Sequence, residues 1–202
     1  EKGRAAIEGF LVGRALMYAS VYYHKTVRAA EVMAQSAVER LSGYPEVARP
    51  LLQLNDGQLL DELAARSERS RSVAEGLLYR KLYKHVGSLR AIDAADRRRW
   101  EKAASNPQLR RAMEDRMSER LRLPPLSILL DLAGVREDPE ATREWEAVAL
   151  EENGRLTYPF RSGAIWPTLL RRPPTLWAVS VYADPRFASV PASRVDRALR
   201  DA

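Results

Sequence analysis

RALMYASVYYHKTVR, residues 14–28, sits in the middle of a segment whose apolar residues recur with a helical period. Leu16, Ala19, Tyr23, Val27, Ala30, Ala34, Val38 and Leu41 fall on one stripe at 3.6 residues per turn, so the spacing predicts one long helix from Ala5 to Ser42. Arg14, Tyr18, Tyr22 and Lys25 fall within a narrow arc on roughly the opposite side, because steps of three and four residues return to one face. Phe10, Leu11, Met17, Val21, Ala29 and Val32 surround that arc, which makes the helix apolar nearly all round and predicts that it is buried. A buried cation without a partner is too costly to keep, so Arg14, Lys25 and Arg28 call for carboxylates, phosphates or water. Phosphate suits the inventory, since arginine offers a planar fork of donors and tyrosine a ring face with a hydroxyl. Three ion pairs within a helical core meet the same requirement with no ligand at all.

Outward from this segment, Ser42, Gly43, Tyr44 and Pro45 supply its stop. Asn55 or Asp56 caps a short helix over Gln58 to Ala65, and Ser70 or Ser72 a second one over Val73 to Tyr83, with Gly87 as its C-cap. That second helix places Tyr79, Arg80, Tyr83 and Lys84 close together. Asp93 to Ala104 and Pro107 to Arg122 read as two charged helices parted at Ser105, Asn106 and Pro107. Leu109, Ala112, Met113, Met117 and Leu121 give the latter a narrow apolar seam, the rest facing solvent. Past Leu123, Pro124 and Pro125 the pattern changes to strands. These are Ser127 to Leu132, Glu144 to Leu150, a hairpin turn at Glu152, Asn153 and Gly154 with a return over Arg155 to Phe160, and Leu176 to Tyr182. Pro191 to Arg200 is a terminal helix. The fold class expected is mainly α with a small α+β C-terminal lobe: a long buried helix and helical bundle, then three to four strands with a terminal helix. The domains expected are 1–90, a connector over 91–125, and the lobe over 126–202.

Composition narrows the function classes. The 202 residues are enough for a proper core. There are no cysteines, so neither a disulfide framework nor a thiolate metal site is available, which suits a cytoplasmic protein. No run approaches the roughly 18 apolar residues of a membrane span. A net charge of +6 arises from 33 Lys and Arg against 27 Asp and Glu, a mixture of signs that reads as an ion-paired surface and gives nucleic acid little weight as a partner. Arg97, Arg98 and Arg99 beside Trp100 are the densest basic cluster, a basic run next to an aromatic of the kind that tracks a phosphate backbone.

Self-contained catalytic chemistry is missing. The two histidines, His24 and His85, stand next to Lys25 and Val86, with no His-Asp pair and no HExxH. There is no GxSxG, P-loop or GxGxxG in a strand-helix context. Asp56, Asp61 and Glu62 are accounted for by a helix N-terminus. The chain thus offers no catalytic residues and no metal ligands of its own.

EGFLVGRALMYASVYYHKTVRAAEVM, residues 8–33, and LYRKLYKHVG, residues 78–87, resemble two elements, in the same order, of the HD-domain deoxynucleoside triphosphate triphosphohydrolases, the family of the animal SAM-and-HD-domain enzyme and its bacterial relatives. The resemblance covers some 80 residues and is only architectural from Ala91 onward. It implies that Arg14 binds the substrate triphosphate and that Tyr22 packs beside the sugar and rejects a 2'-hydroxyl. Tyr18 stands where the animal enzyme has a histidine near the reacting phosphate. His24, Lys25, Arg80, Lys84 and Lys2 match a regulatory nucleotide site at a subunit interface. The His…His-Asp…Asp ligands of that family would precede residue 1, so the resemblance implies that this chain is the C-terminal half of an enzyme. The divalent ion (Mg, Mn, Fe or Zn) would then be held by an N-terminal HD segment. The implied partners are a dNTP substrate, an activating nucleotide and further copies in a homo-oligomer. Beside this reading stand a helical oligomerisation or protein-interaction module without catalysis, and a nucleic-acid binder built on Arg97 to Arg99.

Overall fold

The computed structural model describes residues 2–41, 46–89, 94–133, 135, 147–152, 154–158 and 179–202. It is mainly helical with a small antiparallel sheet and a terminal helix, the expected fold class. The elements are α1 (Lys2–Met17), a π turn (Tyr18–Tyr22), α2 (Lys25–Glu39), a 3-10 segment (Glu46–Gln53), α3 (Asp56–Arg66), α4 (Glu68–Leu78), β1 (Lys84–Leu89), α5 (Ala94–Ser105), α6 (Pro107–Leu121), β2 (Ile128–Asp131), β3 (Leu150–Glu152), β4 (Arg155–Thr157), β5 (Val179–Ala183), a 3-10 turn (Pro185–Phe187) and α7 (Ala192–Arg200). The chain forms two compact units. One comprises residues 1–24 and 136–176, the other residues 25–135 and 177–202.

The first unit holds α1, the π turn and the β3–β4 hairpin. The continuous helix expected from Ala5 to Ser42 is interrupted, because Tyr23 donates its N–H to the Tyr18 carbonyl at 2.9 Å, five residues back, and helix resumes only at Lys25. A π turn inserts one residue into the 3.6-residue period, so a single stripe cannot run through both halves. Leu16 and Val21 are exposed, as are Phe10 and Met17, so the burial expected of this half holds for Leu11 but not for these four. In the hairpin, Glu152 pairs with Arg155 across Gly154, whose φ of +73° suits glycine. Asn153, the helix stop expected over 42–45, the helix start expected at Asp93 and the expected strand residues 144–146, 159–160 and 176–178 lie outside the described residues.

In the second unit the sheet runs β1-β5-β2, all antiparallel. The central β5 is buried throughout, so its two faces feed two cores. Val179, Val181, Ile128 and Leu130 face a layer of α5, α6 and α7 through Trp100, Met117 and Leu199. Tyr182 and Leu129 face α2, α3 and α4 through Met33, Leu63 and Val73. The buried stripe of α2 is Ala29, Val32, Met33, Ser36 and Ala37, one position off the expected one, the phase change introduced by the interruption before Lys25.

Three sequence expectations for residues 67–89 are corrected. The helix is capped by Ser67, not Ser70 or Ser72, and it stops at Leu78. Lys81 donates to the Gly76 carbonyl at 2.8 Å and Arg80 to the Leu77 carbonyl at 3.1 Å, the paired bonds of a left-handed C-terminal cap, with Arg80 at φ +54°. From Lys84 the chain is strand, so Arg80 and Lys84 do not share a helix. Gly87 is no cap. A register shift between His85 and Gly87 lets α7 approach, and a Cβ on Gly87 would lie 2.7 Å from Val195 Cγ1. Val195 is fully buried and β-branched, with little room to turn away. Gly87→Ala is therefore expected to destabilise the protein by roughly 1–3 kcal/mol in urea denaturation. A cost near zero would show that α7 is not held against the strand.

Asn106 caps α6 as expected, accepting from Leu109 N at 3.0 Å with Pro107 in the first turn. The solvent-facing remainder expected of α6 is a correction, since Arg110, Glu114 and Ser118 are buried beside Met113 and Met117. Arg40 reaches Glu114 at 2.8 Å, Arg110 pairs with Glu39, and Arg111 donates to the Glu39 carbonyl at 2.7 Å. The second Glu114 oxygen accepts from Leu130 N at 3.0 Å, so the crossed pairs tie α2, α6 and β2 together. Burial pushes the Glu114 carboxyl up to about 7 despite these donors.

Candidate functional site

The π turn assembles an aromatic cluster on the first unit. In an α-helix residues 18 and 23 diverge, but the wider turn brings them side by side. Tyr18 and Tyr23 ring centroids are 5.9 Å apart, and Tyr18 and Tyr22 4.9 Å. One helical turn earlier, the Arg14 guanidinium lies over the Tyr18 ring, 4.4 Å from its centroid. Stacking of this kind fixes a guanidinium plane while leaving its donor edge available. Tyr22 is 46% exposed, and Arg14 and Tyr18 are half-buried. A cation, a ring face and phenolic hydroxyls thus stand together at the accessible surface, a set able to hold phosphate and sugar.

The remaining residues singled out in the sequence are spread over other places. His24 is exposed, its N–H bonded to the Val21 carbonyl at 3.1 Å, at the end of the first unit. Lys25 opens α2, Arg80 closes α4, and Lys84 begins β1 opposite Ala183; all three are exposed and belong to the second unit. Lys2 lies in the first turn of α1, and its side chain lies outside the described residues.

Sequence reasoning asked for a partner for Arg28 and did not find it. The partner is Asp131, which receives Nε at 2.8 Å and Nη2 at 2.7 Å in a two-pronged bond, while Glu31 takes Nη1. Asp131 also accepts from Ala133 N at 3.0 Å. The pair holds the Arg28 guanidinium more firmly protonated, against the burial that opposes its charge. Beside it, burial and the Asp131 charge push the Tyr182 phenol up, and burial with nearby Lys25 pushes the His85 imidazole down. The His85 and Tyr182 rings meet edge to face at 5.6 Å. The signal was present: an aspartate ending the apolar run SILLD needs a cation, and Arg28 on an apolar helix needs an anion.

Among the described residues no three His, Asp or Glu side chains gather where they could hold a metal ion. Trp100, the aromatic beside the arginine cluster, is fully buried and serves the core. No described helix is long and apolar enough to cross a membrane.

The chain is similar to a hypothetical protein from Aquifex aeolicus known from a 2.0 Å crystal structure, with 20% identity and a TM-score of 0.57. The match takes in 96% of this chain but 46% of that one, so the chain spans under half the length of the protein whose fold it shares. No curated protein matches it. The sequence pattern of the HD associated region matches residues 1–199, nearly the whole chain, and by that match the chain belongs to the HD-associated region family.

Proposed function

We propose that this chain is the C-terminal part of an HD-type phosphohydrolase that cleaves deoxynucleoside triphosphates into deoxynucleoside and triphosphate. The observation that carries the reading is the Arg14 guanidinium lying over Tyr18 with Tyr22 beside it, in a member of the HD-associated family. Arg14 binds the triphosphate oxygens, Tyr18 holds the guanidinium in orientation, and Tyr22 packs against the deoxyribose and leaves no room for a 2'-hydroxyl. Lys2, His24, Lys25, Arg80 and Lys84 take part in a second, regulatory nucleotide site at an interface between copies. The described residues of this chain do not fit a metal site. In this reading the divalent ion belongs to a separate HD segment. The expected result is release of triphosphate from at least one dNTP by the full-length gene product in the presence of Mg²⁺ or Mn²⁺. A full-length protein inert towards every dNTP sinks the reading.

One observation favours a second reading, an assembly module. Phe10, Leu16, Met17 and Val21 are exposed apolar side chains within twelve residues of α1 and its π turn, more than a helix leaves in water without use. Light scattering that gives a monomer at all concentrations would count against it.

A further inference from the structure

Positive and negative residues are mixed along the chain, but the fold sorts them. The three helices on one side of the sheet, α5, α6 and α7, carry eleven Lys and Arg against six Asp and Glu. The three on the other side, α2, α3 and α4, carry five against seven. Hydrogen bonds hold the basic helices side by side: Arg99 donates to the Arg200 carbonyl at 3.4 Å, Arg116 to the Ala202 carbonyl at 3.1 Å, and Arg194 to the Leu121 carbonyl at 3.0 Å. The carbonyl partner leaves the charge of Arg194 uncancelled, whereas Arg99 also pairs with Asp96 at 3.3 Å and Arg120 with Asp201 at 2.5 Å. Among the described residues Arg98, Arg122, Arg197 and Arg200 have no carboxylate partner, and all four are exposed. Arg194, Arg197 and Arg200, at steps of three, form one stripe along α7.

We propose that the α5–α6–α7 face binds the phosphate backbone of double-stranded nucleic acid without reading its sequence. The chemistry of the face selects this partner. None of the large exposed apolar side chains of the described residues lies on these three helices, so the face lacks the wedge a membrane surface takes up. With Trp100 buried it also lacks an aromatic platform for the bases of a single strand. What remains is a hydrated face on which guanidinium groups outnumber carboxylates, the complement of a duplex with one charge per about 1.7 Å of axis. The face is distinct from the Arg14 cluster of the first unit, and the proposal stands independently of nucleotide hydrolysis.

The test is fluorescence anisotropy of the full-length protein with a labelled DNA duplex of arbitrary sequence, titrated between about 50 and 200 mM salt. Affinity is expected to fall steeply with salt and to be indifferent to sequence. Arg98→Glu, Arg197→Glu and Arg200→Glu together should weaken binding at least about tenfold and reduce the salt slope by about 3, one unit for each phosphate left without its arginine. Reversing Arg49, Arg66 and Arg69 on the other side changes net charge equally and should leave affinity within about twofold. Circular dichroism confirms that both variants fold. No binding at low salt, equal losses in the two variants, or tighter binding of the matching single strand would each overturn the proposal. Displacement of the duplex by poly-glutamate at equal charge would reassign the face to an acidic protein.

Discussion

Glu114→Ala should lower the unfolding free energy by about 3–5 kcal/mol at pH 8, read from urea denaturation. The carboxylate bonds Arg40 with one oxygen and Leu130 N with the other, and both ion-paired side chains are buried. Truncation leaves a buried guanidinium without its anion, a strand N–H without its acceptor and a cavity between α2 and α6, three costs at one position. Glu62→Ala, which breaks a half-exposed pair with Arg66 on α3, should cost less than about 1 kcal/mol. The double variant Arg40→Met with Glu114→Gln should recover most of the loss, because Gln keeps an acceptor for Leu130 and Met replaces the arginine stem without its charge. The pH dependence has a definite sign. The folded state holds the Glu114 proton up to about pH 7, whereas the unfolded chain releases it near the ordinary carboxyl value of 4.5. Between these limits the unfolded state binds fewer protons, so stability falls as pH rises from about 4.5 to 7. Glu114→Gln should remove that part of the slope. A Glu114→Ala cost under about 1 kcal/mol would show that the crossed pairs do not clamp α2 to α6.

These pairs mark where reading the sequence succeeds and where it stops. Asn106 and Pro107 announced the start of α6, and SILLD announced a buried strand, because caps and apolar runs act over a few residues. Arg110 and Glu114 looked like solvated helix charges, since their partners Glu39 and Arg40 lie more than seventy residues away and nothing local distinguishes them. The interruption at Tyr18–Tyr22 escaped for a different reason. The periodic stripe through Leu16 and Val27 fits a continuous helix as well as the Arg14–Tyr18–Tyr22 arc does, and period alone does not register one inserted residue. At Lys84, a helical pattern of Tyr, Arg and Lys lost to the left-handed cap at Arg80 and to pairing with β5, a tertiary interaction that overrides local preference. Of the candidate site, the three-residue arc was legible because it depends on local spacing. Asp131 as the anchor of Arg28 was not, because it depends on the sheet.

Arg14→Ala in the full-length protein should reduce kcat/KM for the preferred dNTP by at least about a hundredfold, the loss that follows removal of one fixed donor to a charged transition state. Its effect on folding should be small, since a half-buried guanidinium over a ring contributes about 0.5–1 kcal/mol. That separation of activity from stability discriminates a ligand-binding arginine from a structural one. Arg14→Lys should restore only part of the activity, because a compact ammonium neither stacks as a plane nor presents two donors to one phosphate. Tyr18→Phe keeps the ring beneath Arg14 and so tests the hydroxyl alone: near-normal activity would assign Tyr18 to positioning the guanidinium, and a loss as deep as that of Arg14→Ala would place its hydroxyl on the substrate. Tyr22→Ala should instead act on selectivity, raising the rate with the matching ribonucleotide relative to the deoxynucleotide, because removing the ring opens the space a 2'-hydroxyl needs. Full activity of Arg14→Ala with an unchanged melting temperature would dissociate the cluster from nucleotide binding and leave the exposed residues of α1 and its π turn, Phe10, Leu16, Met17 and Val21, as the part of this segment that meets a partner.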